Sequence, residues 1–302
     1  MRRFCALVRS AMLEALAEPL SAVLFLVALL AIPLLPVFHC HQFGEAGRLP
    51  RECGFSALLV FGVVFATSSA VRVIGGELSS GTASAALARD VSRPLFFCAK
   101  IMGVLEAFAL FVAAVGMATL ASVATAEMGE VQERMGHFHL WVPGIAASTV
   151  LTLAGLAMAA ALNRFLRMRF CVTACISISV AQLPALGLVA VMGEPPLRLA
   201  LLPAIGVLAV GCCVFIALAG ALAVRLPSAA VTNGVALAVV SSFVWPISVV
   251  LPDIQRFWLV DAFAYGGAPA AGQLAVPLVA GALLVVFWLA VGSILLERRE
   301  IP

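Results

Sequence analysis

Long apolar runs alternate with short polar intervals along the whole chain, and each run has about the 20 residues that cross a hydrocarbon core. The runs are Leu20 to Phe38, Gly54 to Ile74, Ile101 to Ala126, Leu140 to Asn163, Phe170 to Met192, Leu199 to Val224, Val231 to Leu251 and Leu274 to Leu296. They predict eight spans, the first bent at its outer end by Pro33 and Pro36. Ahead of them, residues 1–18 place Phe4, Leu7, Val8, Ala11, Met12, Ala15 and Leu16 on one helical face, with Arg2, Arg3, Arg9 and Ser10 on the other. That pattern predicts an amphipathic interfacial helix stopped by Pro19. The interval 75–100, between spans 2 and 3, is too polar for hydrocarbon. Its Ala-rich, Pro-free middle, Leu78 to Arg89, predicts a short helix at the membrane surface. The segment Asp253 to Gln273 gathers Phe257, Trp258 and Tyr265 with a few charges, which suits the headgroup zone.

The fold class that follows is all-α, a polytopic transmembrane helical bundle forming a single transmembrane domain over 1–302. Composition agrees: 64% of the residues are apolar and 11% charged, against about 25% charged in soluble domains, and the mean hydropathy is +1.15. Eight spans consume the length, leaving no room for a sizeable soluble domain. Of the 18 Lys and Arg residues, 13 fall on one side of the eight-span topology, among them Arg72, Arg89, Arg93, Lys100, Arg164, Arg225 and Arg298. By the positive-inside rule that side is cytoplasmic and holds both termini. The net charge of +3 is scattered and forms no basic stripe, so nucleic acid is not an expected partner; the lipid bilayer is.

Catalytic chemistry is absent from the motifs. Gly76 to Thr82 has the glycine spacing of a phosphate-binding loop, but Thr82 stands where the lysine is required. Neither His-Glu-x-x-His nor Gly-x-Ser-x-Gly occurs, so the chain does not read as an enzyme, and no cofactor is implied. Ionisable residues are missing from the centres of the spans, where an ion-coupled carrier would place them. Glu106, about 9 Å along span 3 from Lys100 at 1.5 Å per residue, is a candidate for an intramembrane pair with Arg72, the alternative being that it reaches water alone. Asn233, Gln182, Thr67, Ser68, Ser69 and the small residues of 153–160 are candidates for lining a path, but close helix packing and hydroxyl bonds to their own backbone are the plainer reading at each. Cys40 and Cys53 bracket the outer loop after span 1 and form a candidate disulfide, whose closed loop contributes about 3 kcal/mol in the chain-entropy model. His39, His41, His137 and His139 form two His-x-His pairs on the outer side. In extended segments each pair presents two imidazoles to one side, but solvated loop histidines are the plainer reading and no metal site is assigned.

Glu77, Ser80-Gly81-Thr82, Leu87-Ala88, Ser92-Arg93 and Lys100 through Gly103 together resemble the signature of type-two ATP-binding-cassette exporter permeases. Asp90 departs from it, standing where that family usually has proline. The resemblance is strongest from the N-terminus to about residue 110. It implies that residues 1–18 are an elbow helix and that 75–100 is the coupling segment docking on a separate ATP-binding subunit, with Glu77, Gly81, Thr82, Arg89 and Arg93 as coupling residues. It also implies a homodimer or a heterodimer with a related permease, an ATP-driven exporter function and a bacterial inner-membrane location. The family's common pattern has six spans, which leaves two helices extra or makes span 5 a broken element around Gln182 and Pro184. The alternatives to an exporter subunit are an ATP-independent carrier or channel, and a noncatalytic membrane scaffold.

Overall fold

The computed structural model describes residues 2–41, 45–87, 91–136, 140–193, 197–244, 254–259 and 271–299, and among them every regular element is helical. The chain order is α1 (Arg2–Leu16), α2 (Pro19–Leu34), a 3₁₀ segment (Leu35–His41), α3 (Arg48–Ala70), a π-helical turn (Val71–Gly76), α4 (Glu77–Ser79), α5 (Thr82–Leu87), α6 (Arg93–Arg134), α7 (Val142–Leu166), α8 (Phe170–Met192), α9 (Leu201–Ala223), α10 (Ser228–Val244), α11 (Ile254–Phe257) and α12 (Ala271–Glu297). Seven of the helices are long and apolar enough to cross a membrane, and α10 is a shorter apolar helix. The chain is a multi-pass membrane protein.

The ends of α9 and α12 bear on the number of crossings. Arg299 donates to the carbonyl of Val224, and Arg93 donates to the carbonyls of Glu297 and Arg299. The C-termini of α9 and α12 therefore lie at the same end of the bundle as the start of α6. Helix α10 sets out from that same end, and its 17 residues extend about 25 Å. Seven long apolar helices and this shorter one are consistent with seven to eight spans. Helix α8 runs unbroken from Phe170 to Met192 with Pro184 inside it, so it is not the broken element considered above.

Several sequence boundaries shift. The loop expected over Glu127 to His139 is helical through Arg134, making α6 a 42-residue helix of about 63 Å, longer than the hydrocarbon core. Span 2 begins earlier than expected, at Arg48, and continues through the π turn to Ser79.

The apolar face of α1 is buried as its pattern predicts: Val8, Ala11, Ala15 and Leu16 are buried while Arg3, Arg9 and Ser10 are exposed. What covers it is protein, since α1 packs along α6. The contact depends on Gly103, where an added Cβ would lie 2.4 Å from the Val8 carbonyl oxygen and 2.5 Å from the Ala11 Cβ. Only glycine permits backbones this close.

At the centre, α2, α3 and α6 meet through Phe25, Phe65, Phe108 and Phe111, all 0–1% exposed. Phe25 stands edge-on to Phe111 at 5.0 Å, and Phe65 stacks on Phe111 at 6.0 Å, the offset and T-shaped geometries aromatic pairs favour. The bend expected at Pro33 and Pro36 appears as the change from α2 to the 3₁₀ segment. Pro36 has no N–H to offer the Ile32 carbonyl, which instead accepts from the Leu35 N–H and, at 2.8 Å, from the buried Ser122 hydroxyl of α6.

Candidate functional site at the polar end of the bundle

Polar contacts gather at two ends. At the far end, Arg51, 2% exposed, holds Glu45 through two bonds of 2.6 and 3.3 Å. Arg198 pairs with Glu127 at 2.5 Å. The Arg51 guanidinium keeps the Glu45 carboxyl below its ordinary range against a smaller opposing effect of burial. The first contact ties the segment before α3 to that helix, and the second ties the residues just before α9 to α6.

At the near end the polar interval after α3 is built in three steps. Helix α3 widens into the π turn Val71–Gly76, a geometry often found at functional sites. A single turn, Glu77–Ser79, follows, and Gly81 at φ +72° reverses the chain into α5, a conformation that favours glycine. Within this turn the Ser80 and Thr82 hydroxyls lie 2.9 Å apart, and Ser79 donates to the Gly76 carbonyl at 3.0 Å. Ser79, Ser80 and Thr82 are exposed at the tip. The surface helix expected over Leu78 to Arg89 is thus present as α5, Thr82–Leu87; Arg89 lies outside the described residues.

Lys100 anchors this tip. Its side chain is 2% exposed, and Nζ lies 2.6 Å from Glu77 Oε1, 3.7 Å from Glu14 Oε2 and 5.8 Å from the centroid of the Phe96 ring. One ammonium therefore joins α1, α4 and α6. Burial raises the Glu14 carboxyl above its ordinary range, with Lys100 as the largest opposing influence. Burial likewise raises Glu18, opposed by Arg72, and Glu18 Oε2 has no hydrogen-bond partner.

Arg93, at the start of α6, reaches the last helix. Its Nη1 lies 2.8 Å from the carbonyls of Glu297 and Arg299 and 3.4 Å from that of Leu296, completing backbone acceptors that the end of α12 leaves unserved. Two of the residues singled out from sequence, Glu77 and Arg93, thus fasten the interval 77–93 to the bundle at different helices. Gly81 and Thr82 shape its tip.

Other expectations are corrected. Arg72 and Glu106 form no ion pair: Glu106 is exposed on α6, whereas Arg72, on the π turn, lines a cavity facing α9 and α10 and feels Glu14 and Glu18 instead. Cys53 is a free thiol in the second turn of α3, so the bridge to Cys40 is not formed. His39 and His41 lie in a 3₁₀ segment rather than in the extended one that the expectation required. His137 and His139 lie outside the described residues, and among the described residues no group of His, Cys, Asp or Glu is placed to hold a metal. Gln182 donates to the Thr152 hydroxyl at 2.8 Å and Thr67 to the Val63 carbonyl at 2.9 Å, packing roles within and between helices. Sequence reasoning missed Glu14 as a partner of Lys100, and Arg225 and Arg299 as neighbours of Arg72. No spacing rule links positions so far apart.

Comparison with protein-family models, with curated proteins and with solved structures finds no match in any of the three.

Proposed function

We propose that this chain is the membrane-spanning permease subunit of an ATP-driven transporter, an exporter, whose ATP is hydrolysed by a separate subunit docking on the tip 77–87. The observation that carries this reading is the mechanical fastening of the tip. Lys100 joins Glu77 to Glu14 and α1, and Arg93 joins the exit of the same interval to the end of α12. A push on the exposed Ser79, Ser80 and Thr82 is delivered to α1, α3, α6 and α12 together, as a coupling element must do. The exporter-family signature runs through the same residues, since Glu77 and Lys100, which form the buried pair, are both part of it.

In this reading ATP-driven closure of two ATPase subunits moves the tips of two permeases, a homodimer or this chain and a relative, and switches access between the membrane faces. The basic end is cytoplasmic, with both termini there, in a bacterial inner membrane. An ion-coupled carrier is disfavoured because the buried cations among the described residues, Lys100 in the second turn of α6 and Arg51 in the first turn of α3, sit near helix starts rather than at mid-membrane and are paired with carboxylates. The test is co-expression with candidate soluble ATPase subunits. Co-purification and ATP hydrolysis stimulated by the permease are expected, with stimulation reduced at least tenfold by Glu77→Ala. An intact complex whose hydrolysis ignores both the permease and that substitution would refute the reading.

A further inference from the structure

A cavity of about 610 Å³ opens beside the tip, where the π turn of α3, the end of α9 and the start of α10 meet, and three arginines line it: Arg72, Arg225 and Arg299. Among the described residues no carboxylate lines it. Glu14 and Glu18 act on Arg72 from the α1 side. Arg299 spends one nitrogen on the Val224 carbonyl. The Arg72 and Arg225 residues are exposed, and their side chains make no hydrogen bond or ion pair with the described residues.

The 17-residue helix α10 begins at the same cavity, with Pro227, Ser228 and Val231 in its wall. Its first backward backbone bond runs from the Val231 N–H to the Pro227 carbonyl at 3.1 Å, so the N–H groups of the preceding turn have no helical partner. A helix N-terminus carries partial positive charge and favours an anion. Guanidinium groups from three separate elements and this N-terminus thus converge on one space whose described wall holds no acidic group. The π turn itself, with Gly75 and Gly76 on the wall, leaves the approach to Arg72 open: a side chain at Gly76 would meet nothing within 4 Å.

We propose that this cavity binds a phosphate group: planar, forked donors match phosphate oxygens two at a time. Its position selects the molecule that carries the phosphate. Arg72 stands two residues past the 23-residue α3 and Arg225 two residues past the 23-residue α9, which puts both at the level where these apolar helices end. Leu226 and Val231 add an apolar wall. An anionic phospholipid, its headgroup phosphate among the arginines and its chains along the bundle, meets both requirements, as basic pockets between membrane helices generally do. A water-soluble phosphate ester shares the same headgroup chemistry and is the other source. The proposal concerns this chain alone and does not depend on the transporter reading.

The experiment is native mass spectrometry of the full chain released from micelles doped with phosphatidylglycerol or phosphatidylcholine, with and without 10 mM inorganic phosphate. Saturable retention of phosphatidylglycerol over phosphatidylcholine is expected, weakened at least tenfold by Arg72→Gln/Arg225→Gln. Arg225→Gln alone, on an exposed and unpaired side chain, guards against misfolding of the double variant and should weaken retention severalfold. Arg134→Gln removes the same charge at the far end and should leave retention unchanged. Displacement of the lipid by inorganic phosphate, or phosphate retention lost in the same variants, would identify a soluble phosphate as the ligand. Retention of both probes unchanged by Arg225→Gln and by the double variant, or weakened equally by Arg134→Gln, would overturn the proposal.

Discussion

Removing Glu77 should loosen the near end more than a surface ion pair would allow. At 2.6 Å and an effective dielectric of about 20, the Lys100–Glu77 attraction is roughly 6 kcal/mol, and Glu14 at 3.7 Å adds a weaker share. Desolvation of a nearly inaccessible ammonium offsets most of this, so the net value of the intact cluster is small. Loss of one partner is different, because it strands the remaining charge. Glu77→Ala leaves Lys100 with Glu14 alone and should cost about 2–4 kcal/mol, at or below the range for broken buried pairs because Glu77 retains 23% exposure. Lys100→Met should cost a similar amount by leaving two half-buried carboxylates facing one another. The double variant Lys100→Met/Glu77→Leu replaces the pair with apolar groups and should recover about 2 kcal/mol relative to the sum of the single losses. Denaturant titration of the protein in micelles measures the cycle, with limited proteolysis of α1 as a second readout since Glu14 is released. Single-variant losses that add within about 0.5 kcal/mol would show the groups to be uncoupled and remove the anchor from the account.

Gly103→Val should force α1 away from α6, because even a Cβ meets the Val8 carbonyl at 2.4 Å; protease sensitivity confined first to residues 2–16 is the expected result. Ser122→Ala leaves the Ile32 carbonyl with only its 3₁₀ bond and should cost about 1–3 kcal/mol in a denaturant titration, whereas a neutral result would remove that bond from the account of the α2 bend. The Glu45–Arg51 pair should set an acid sensitivity. Because Glu45 is held below its ordinary value of 4.5, its contribution is present above that pH and is lost as pH falls through the lowered value. Comparing unfolding midpoints between pH 6 and 3 should give a shallower acid decline for Glu45→Gln than for the parent.

The helices were legible because hydrocarbon length and apolar pattern act locally. The face of α1 was legible for the same reason, down to Val8, Ala11, Ala15 and Leu16. That this face meets α6 rather than lipid was not, because it depends on the small volume of Gly103 in a distant helix. Pro33 and Pro36 marked the bend, but the resulting 3₁₀ geometry comes from how the freed Ile32 carbonyl is served. The tip 77–87 was legible as a polar, Ala-rich interruption. Its fastening was not: Lys100 lies 86 positions from Glu14, and Arg93 lies more than 200 from the carbonyls it binds. Depth along a helix suggested pairing Arg72 with Glu106, but depth does not fix azimuth. The π turn directs Arg72 toward α9 and α10, while Glu106 faces outward.

The account stands most directly on what touches the tip in the cell. A photo-crosslinking amino acid at Ser80, exposed at the tip, should give a specific adduct identified by mass spectrometry as a soluble protein with an intact phosphate-binding loop. The same probe at Val150, exposed midway along α7, should not give that adduct. Crosslinks from Ser80 to lipid alone, in cells where candidate ATPase subunits are co-expressed, would contradict the claim that this tip couples the membrane helices to an ATPase.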